Sequence, residues 1–175
     1  MGTIIFFTPA HETHGGEGAQ DIYANDVRWR SMVEALTGSG RPAILMLDTC
    51  HTTVTGGRNS FIGILRNIKQ NQNLLILSAS NGEKSWEVET LRHGAFTHAL
   101  IEGLLGKAEG ADKAEGQGII DSDELALYIK RRVPELTENR QTPYHNAGGF
   151  PRTPLRVLPD PGNAKTENRR LAVQQ

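Results

Sequence analysis

Cys50 is the only cysteine among 175 residues. A lone cysteine cannot close an internal disulfide, which fits a reducing compartment, so the expected location is the cytoplasm. Long apolar runs are missing as well. None approaches the ~20 residues of a membrane-spanning helix, so no membrane is expected as partner. Neither sign of charge dominates: 19 Lys and Arg stand against 20 Asp and Glu, for a net charge of −1. That balance leaves no electrostatic basis for nucleic-acid binding. The opening "MGTIIFF" lacks the basic segment and small-residue cleavage site of a secretory signal. Position 6 is Phe6 rather than Ser or Thr, so the Met-Gly start is a poor myristoylation signal. No Gly-rich phosphate loop follows the first apolar run, which weakens a flavodoxin-like binding domain as a reading. No internal repeat is visible.

Hydrophobic residues make up 37% of the chain and charged residues 22%, values typical of a globular domain large enough to bury a core. "TIIFF" (3–7) reads as a buried strand ended by Pro9, and the polar 8–25 as a loop. Asp26 is a candidate N-cap for a helix carrying Trp29, Met32, Val33 and Leu36, closed by "GSG" at 38–40. "PAILMLD" (42–48) and "NLLILSAS" (73–80) are continuous apolar runs of the kind buried on both faces of a parallel sheet. Between them Phe61, Ile64, Leu65 and Ile68 recur at helical spacing. Phe96, Leu100 and Leu104 mark a helix stopped by Gly106. Asp121 and Glu124 have capping-box spacing at the head of a helix that Pro134 is expected to end. "LRVL" (155–158) is a candidate last strand, and 159–175 has the composition of a disordered tail. Alternating strands and helices give an α/β domain over 1–158.

Functional groups in open parallel sheets gather just past the carboxyl ends of strands. Cys50 follows "AILML" with two residues between. A thiol there is either a small packed hydrophobe or a nucleophile, and the second role needs a base or positive surroundings.

"ILMLDTCH" resembles the strand and nucleophile turn of the caspase-like peptidases, the clan of caspases, metacaspases and their bacterial relatives. Bacterial members typically carry Asp-x-Cys-His-Ser-Gly; here the turn reads Asp48-Thr49-Cys50-His51-Thr52-Thr53. Downstream, "LLILSAS" resembles the next core strand, and "EKSWEVETLRHGAFTHALIEGLLG" resembles the segment leading into a Gly-x-Phe-Thr helix. "IIDSDELALYIKRRVPELTENRQTP" resembles the closing helix and the run beyond it. The likeness covers about residues 20 to 145. It implies a three-layer sandwich, a mostly parallel sheet with helices on both faces, and a cysteine-type endopeptidase activity. Cys50 would be the nucleophile, with its own N–H as one oxyanion donor. His51 would be a motif neighbour rather than the base, because adjacent residues of an extended turn point apart. Asp48 and Glu87 resemble the acidic walls of a pocket for a substrate Arg or Lys, through charge-assisted hydrogen bonds. Each also has an ordinary role open to it, Asp48 capping a turn and Glu87 standing in solvent.

The family's base is a histidine in a Gly-His-Gly turn at a strand end, and here the text is "TPAHETHGG". In one alignment "TIIFF" is the strand before that turn and His14, followed by Gly15, is the base, 36 residues before Cys50. In the other, which needs fewer gaps, "FFTP" resembles a Phe-Leu-Pro segment that follows the catalytic histidine. The histidine and first strands would then lie upstream of Met1, making this the cysteine-bearing part of an N-terminally incomplete domain with an exposed sheet edge open to pairing. The expected partner is a protein or peptide with Arg or Lys before the scissile bond. The alternative is a catalytically incomplete caspase-like module. No cofactor is expected. "HETH" sets His11 and His14 at i, i+3 near Glu12 and Glu17, but departs from the zinc motif H-E-x-x-H. Calcium dependence, known for some metacaspases, has no identified site, and a calcium loop ending at Glu124 would begin with Lys113, wrong for a hard cation.

Overall fold

A computed structural model describes residues 3–10, 12–14, 22–24, 27–49, 73–79, 94–111, 118–146 and 149–158. Three sheets and three helices build the described part. β1 (Ile4–Ala10), β5 (Ala43–Thr49), β6 (Leu74–Ser78) and β8 (Tyr144–His145) form the main sheet in the order β1-β5-β6-β8. β1, β5 and β6 are mutually parallel and the two-residue β8 is antiparallel. β2 (Glu12–His14), β3 (Ile22–Ala24) and β4 (Val27–Arg28) form a small antiparallel sheet. β7 (Ile119–Asp121) pairs with β9 (Pro154–Val157) as a separate ribbon.

The two central strands carry apolar side chains on both faces, and both faces are covered. Ala43, Leu45, Leu47, Leu74 and Ile76 pack with Val33 and Leu36 of α1 (Trp29–Gly38). Ile44, Met46, Leu75 and Leu77 pack with Phe96, Ala99 and Leu100 of α2 (Ala95–Glu102), and with Leu125, Ile129 and Val133 of α3 (Ser122–Leu136). Alternation along a strand sends odd and even residues to opposite layers, so five consecutive apolar residues satisfy two cores at once. The result is a mixed α/β arrangement with a mostly parallel sheet between helices.

α3 starts where capping-box spacing predicts. The Asp121 side chain accepts from the N–H groups of Asp123 and Glu124, and the Glu124 carboxylate accepts from the Asp121 N–H. Glu124 also accepts from Gly110 N–H at 2.7 Å, which ties the connector to the helix head and commits both its oxygens to backbone. α2 passes into a π-helical turn, Gly103–Lys107, in which Gly106 has φ 117, a conformation open to glycine. Across the two helices Glu102 receives Arg132 Nε at 2.8 Å and Tyr128 OH at 3.1 Å, and pairs with Lys107. Burial alone would raise the Glu102 pKa, but the hydrogen bonds from Lys107, Arg132 and Tyr128 outweigh it and bring it down to about 2.

Several expectations are corrected. β1 continues through Pro9 to Ala10 rather than stopping before it. It is the outermost strand of the main sheet among the described residues, and an edge strand tolerates proline because one side of its backbone has no ladder to serve. Nor is it buried throughout: Ile5 and Phe7 are exposed, because α2 and α3 cover β5 and β6 on that face. The stretch 8–25 is not one loop, since it contains the end of β1 together with β2 and β3. α1 begins at Trp29, after β4. α3 runs two residues past Pro134, whose missing N–H would have reached the carbonyl of Lys130, an exposed residue where water can serve instead. "LRVL" forms β9 outside the main sheet, and β8 was not anticipated. The expected helix over Phe61–Ile68 and the tail 159–175 lie outside the described residues. Among the described residues no helix is long and apolar enough to cross a membrane.

Candidate functional site

β5 ends in Asp48-Thr49 after five buried apolar residues. Asp48 follows Ile44 and Met46 on the face covered by α2, and its half-buried carboxylate meets the start of that helix. Thr97 Oγ1 donates a hydrogen bond to Asp48 Oδ2, across 49 positions in sequence. Threonine in a first helical turn commonly bonds the backbone nearby, so a bond to a distant strand end locks two elements together. Gly94, just before α2, makes room for this contact. A Cβ there would stand 3.0 Å from Asp48 Oδ2 and 3.4 Å from Oδ1. The backbone of Gly94 is ordinary (φ −57, ψ 148), so close approach rather than conformational freedom makes glycine useful here.

β6 ends beside β5. Ala79 N–H donates to the Leu47 carbonyl at 2.7 Å, extending the ladder one step past the strand. The Ala79 carbonyl in turn accepts from Gln141 Nε2 at 2.6 Å. Gln141 is fully buried, and its backbone N–H donates to Thr137 Oγ1 at 3.2 Å. Asn146 works along the same strand: Nδ2 donates to the Leu74 carbonyl and Oδ1 accepts from Ile76 N–H. The side-chain amides of Gln141 and Asn146 therefore pin β6 where β8 is too short to do so.

On the other side of β5 lies β1, in register from Ile4 opposite Ala43 to Ala10 opposite Thr49. The residues next in sequence after these two strand ends are His11 and Cys50. No family model matches the chain, and no curated protein matches it.

Of the residues singled out by sequence, Asp48 lies at the end of β5 and His14 lies in β2 opposite Ile22, within the small antiparallel sheet. Cys50, His51, Glu87, His11 and Glu17 lie outside the described residues. Among the described residues no group of three or more His, Cys, Asp or Glu side chains is arranged to hold a metal ion. In the sequence Gly94 and Thr97 stand out only as part of a Gly-x-Phe-Thr helix start, with no task of their own. The signal was there: a small residue and a hydroxyl three apart at a helix start. What sequence could not supply was the strand end that they meet.

Proposed function

We propose that this chain is a cysteine-type endopeptidase with a caspase-like fold, cleaving after arginine or lysine. Cys50 is the nucleophile, His11 the acid–base group, and Asp48 the anion that receives the basic side chain before the scissile bond. The observation that carries the reading is the parallel pairing of β1 with β5. With Ala10 opposite Thr49, two adjacent strands end level, and the chain continues with His11 after one and Cys50 after the other. Thiol catalysis needs a nucleophile and a proton-transfer group brought side by side from separate segments, and level strand ends are a direct way to supply them. The pairing favours the alignment in which "TIIFF" precedes the histidine turn. It prefers His11 to His14, which belongs to β2 three residues farther on.

In this scheme His11 draws the proton from the Cys50 thiol, whose ordinary pKa of about 8.5 leaves it mostly protonated at neutral pH. The thiolate attacks the carbonyl carbon, the C–N bond breaks, and His11 gives its proton to the leaving amine. A water molecule, deprotonated by His11, then hydrolyses the thioester and restores the thiol. The Cys50 N–H stabilises the oxyanion in both halves. Asp48 fits a guanidinium or ammonium partner, and its position two residues before Cys50 suits the side chain next to the bond that breaks.

Fluorogenic peptides with Arg or Lys before the reporter test this. The wild type cleaves them, Cys50→Ala abolishes cleavage, His11→Ala lowers it by about 100-fold or more, and His14→Ala leaves it within a few-fold. Cleavage by Cys50→Ala at the wild-type rate refutes the assignment. Inert but folded wild type supports a non-catalytic module instead. Loss in His14→Ala with retention in His11→Ala transfers the base to His14.

A further inference from the structure

The bond from Thr97 to Asp48 adds a residue that no part of the nucleophile turn would reveal. We infer that Thr97 is a positioning residue for substrate selection: it holds the Asp48 carboxylate in one orientation, with Gly94 leaving the space that this orientation needs. The inference rests on the peptidase reading above and concerns only how the basic side chain is recognised.

Three observations meet here. The Thr97 hydroxyl donates to Asp48 Oδ2 rather than to a neighbouring backbone carbonyl. The residues flanking Thr97 are rigidly held, since Phe96 is fully buried between sheet and helices and His98 N–H donates to the Gly94 carbonyl at 2.9 Å. Finally, a single methyl on Gly94 would press on Asp48 Oδ2 at 3.0 Å and touch Oδ1 at 3.4 Å. An aspartate has two side-chain torsions, and the second is broad and weakly preferred. The Thr97 hydroxyl narrows that freedom before substrate arrives, and the missing side chain at Gly94 leaves the resulting orientation unobstructed. A carboxylate has about four lone-pair sites, so accepting from Thr97 does not exhaust it. Pre-orientation of this kind reduces the ordering that binding would otherwise have to impose.

A structural role alone predicts that loss of the hydroxyl weakens the fold and lowers all reactivity together. A positioning role predicts a split. Thr97→Val, matched in shape, should slow labelling of Cys50 by an arginine chloromethyl ketone about tenfold, while alkylation by iodoacetamide stays within twofold of wild type. Peptide cleavage should show the same loss as a raised KM for Arg substrates. Thr97→Ser restores both. Equal slowing with both reagents, or no slowing with either, overturns the inference. If circular dichroism shows Thr97→Val unfolded, Gly94→Ala decides instead: a selective loss of arginine-probe labelling supports positioning, and wild-type labelling refutes it. A folded wild type that iodoacetamide alkylates and the arginine probe does not label fails the peptidase reading and this inference with it. Normal wild-type labelling with an insensitive Thr97→Val fails this inference alone.

Discussion

Glu102 joins α2 to α3 and offers a prediction with a definite pH signature. Its carboxylate is largely buried at 13% exposure, and it collects Arg132, Tyr128 and Lys107. Replacing it with glutamine keeps the shape and removes the charge. The pKa falls from the ordinary 4.5 to about 2, which corresponds to at most about 3.4 kcal/mol in favour of the folded state. Lys107 is 61% exposed, so water and salt screen its share, and about 1–2 kcal/mol is the net expectation. For a chain of this length that is a fall in Tm of about 2–8 °C in Glu102→Gln. The sign follows from the depressed pKa. The stabilisation is complete above the unfolded value of about 4.5 and is lost as pH falls through that value towards 2. Thermal or urea unfolding of wild type and variant from pH 7 down to pH 2 should therefore show a gap that is constant above about pH 5 and closes on the acid side. A gap that persists unchanged at pH 2, or no gap at pH 7, refutes the argument.

Gly103→Ala should destabilise the helix pair, because its Cβ would fall 2.7 Å from Leu125 Cδ1 and 3.2 Å from Tyr128 Cδ1. Leu125 is fully buried and has nowhere to retreat, so a loss of about 1–3 kcal/mol in urea unfolding is expected, and wild-type stability would count against the packing described. Gln141→Leu leaves the Ala79 carbonyl without the Nε2 donor at 2.6 Å. It should cost about 1–3 kcal/mol and, read by hydrogen exchange, loosen β6 near its carboxyl end more than β5; uniform protection would contradict that.

The central strands were legible because burial on both faces leaves an unmistakable mark. Ala43–Leu47 and Leu74–Leu77 contain no polar residue, and runs this short suit strands better than helices. The capping box of α3 was equally plain, since Asp121 and Glu124 act through neighbours in the chain. What escaped was decided at a distance. Whether Pro9 ends a strand depends on whether that strand is at an edge, and whether "TIIFF" is buried depends on how far α2 and α3 extend across the sheet. The ribbons β2-β3-β4 and β7-β9 are two to four residues per strand, too short for a period to show. At the site, Asp48 stood out through the resemblance of its turn to the caspase-like one. Thr97 and Gln141 did not, because each acquires its task only when the fold brings it to a strand end.

Those two residues bear on what the carboxyl end of the sheet is for. β5 and β6 are apolar until their last residues and then turn polar together, at Asp48 and at Ser78. A core needs no such change. A buried polar group left without a partner costs about 1–3 kcal/mol, and an aliphatic residue at either place would have avoided the need. Asp48 is answered from a remote region by Thr97 at the head of α2, while Gln141, beyond the end of α3, serves the backbone carbonyl of Ala79 just past Ser78. Local sequence choices that work against simple burial, yet are provided for by the rest of the fold, are expected at functional or strained sites. In an open parallel sheet the carboxyl edge is where ligands meet the strands. At the opposite edge Ile4 N–H pairs with the Pro42 carbonyl and Ala43 N–H with that of Asn73, and Asn146 Nδ2 serves the Leu74 carbonyl. The change from apolar to polar at the carboxyl edge, independent of any resemblance, directs attention to the end of β5 and to the cysteine that follows it in the sequence.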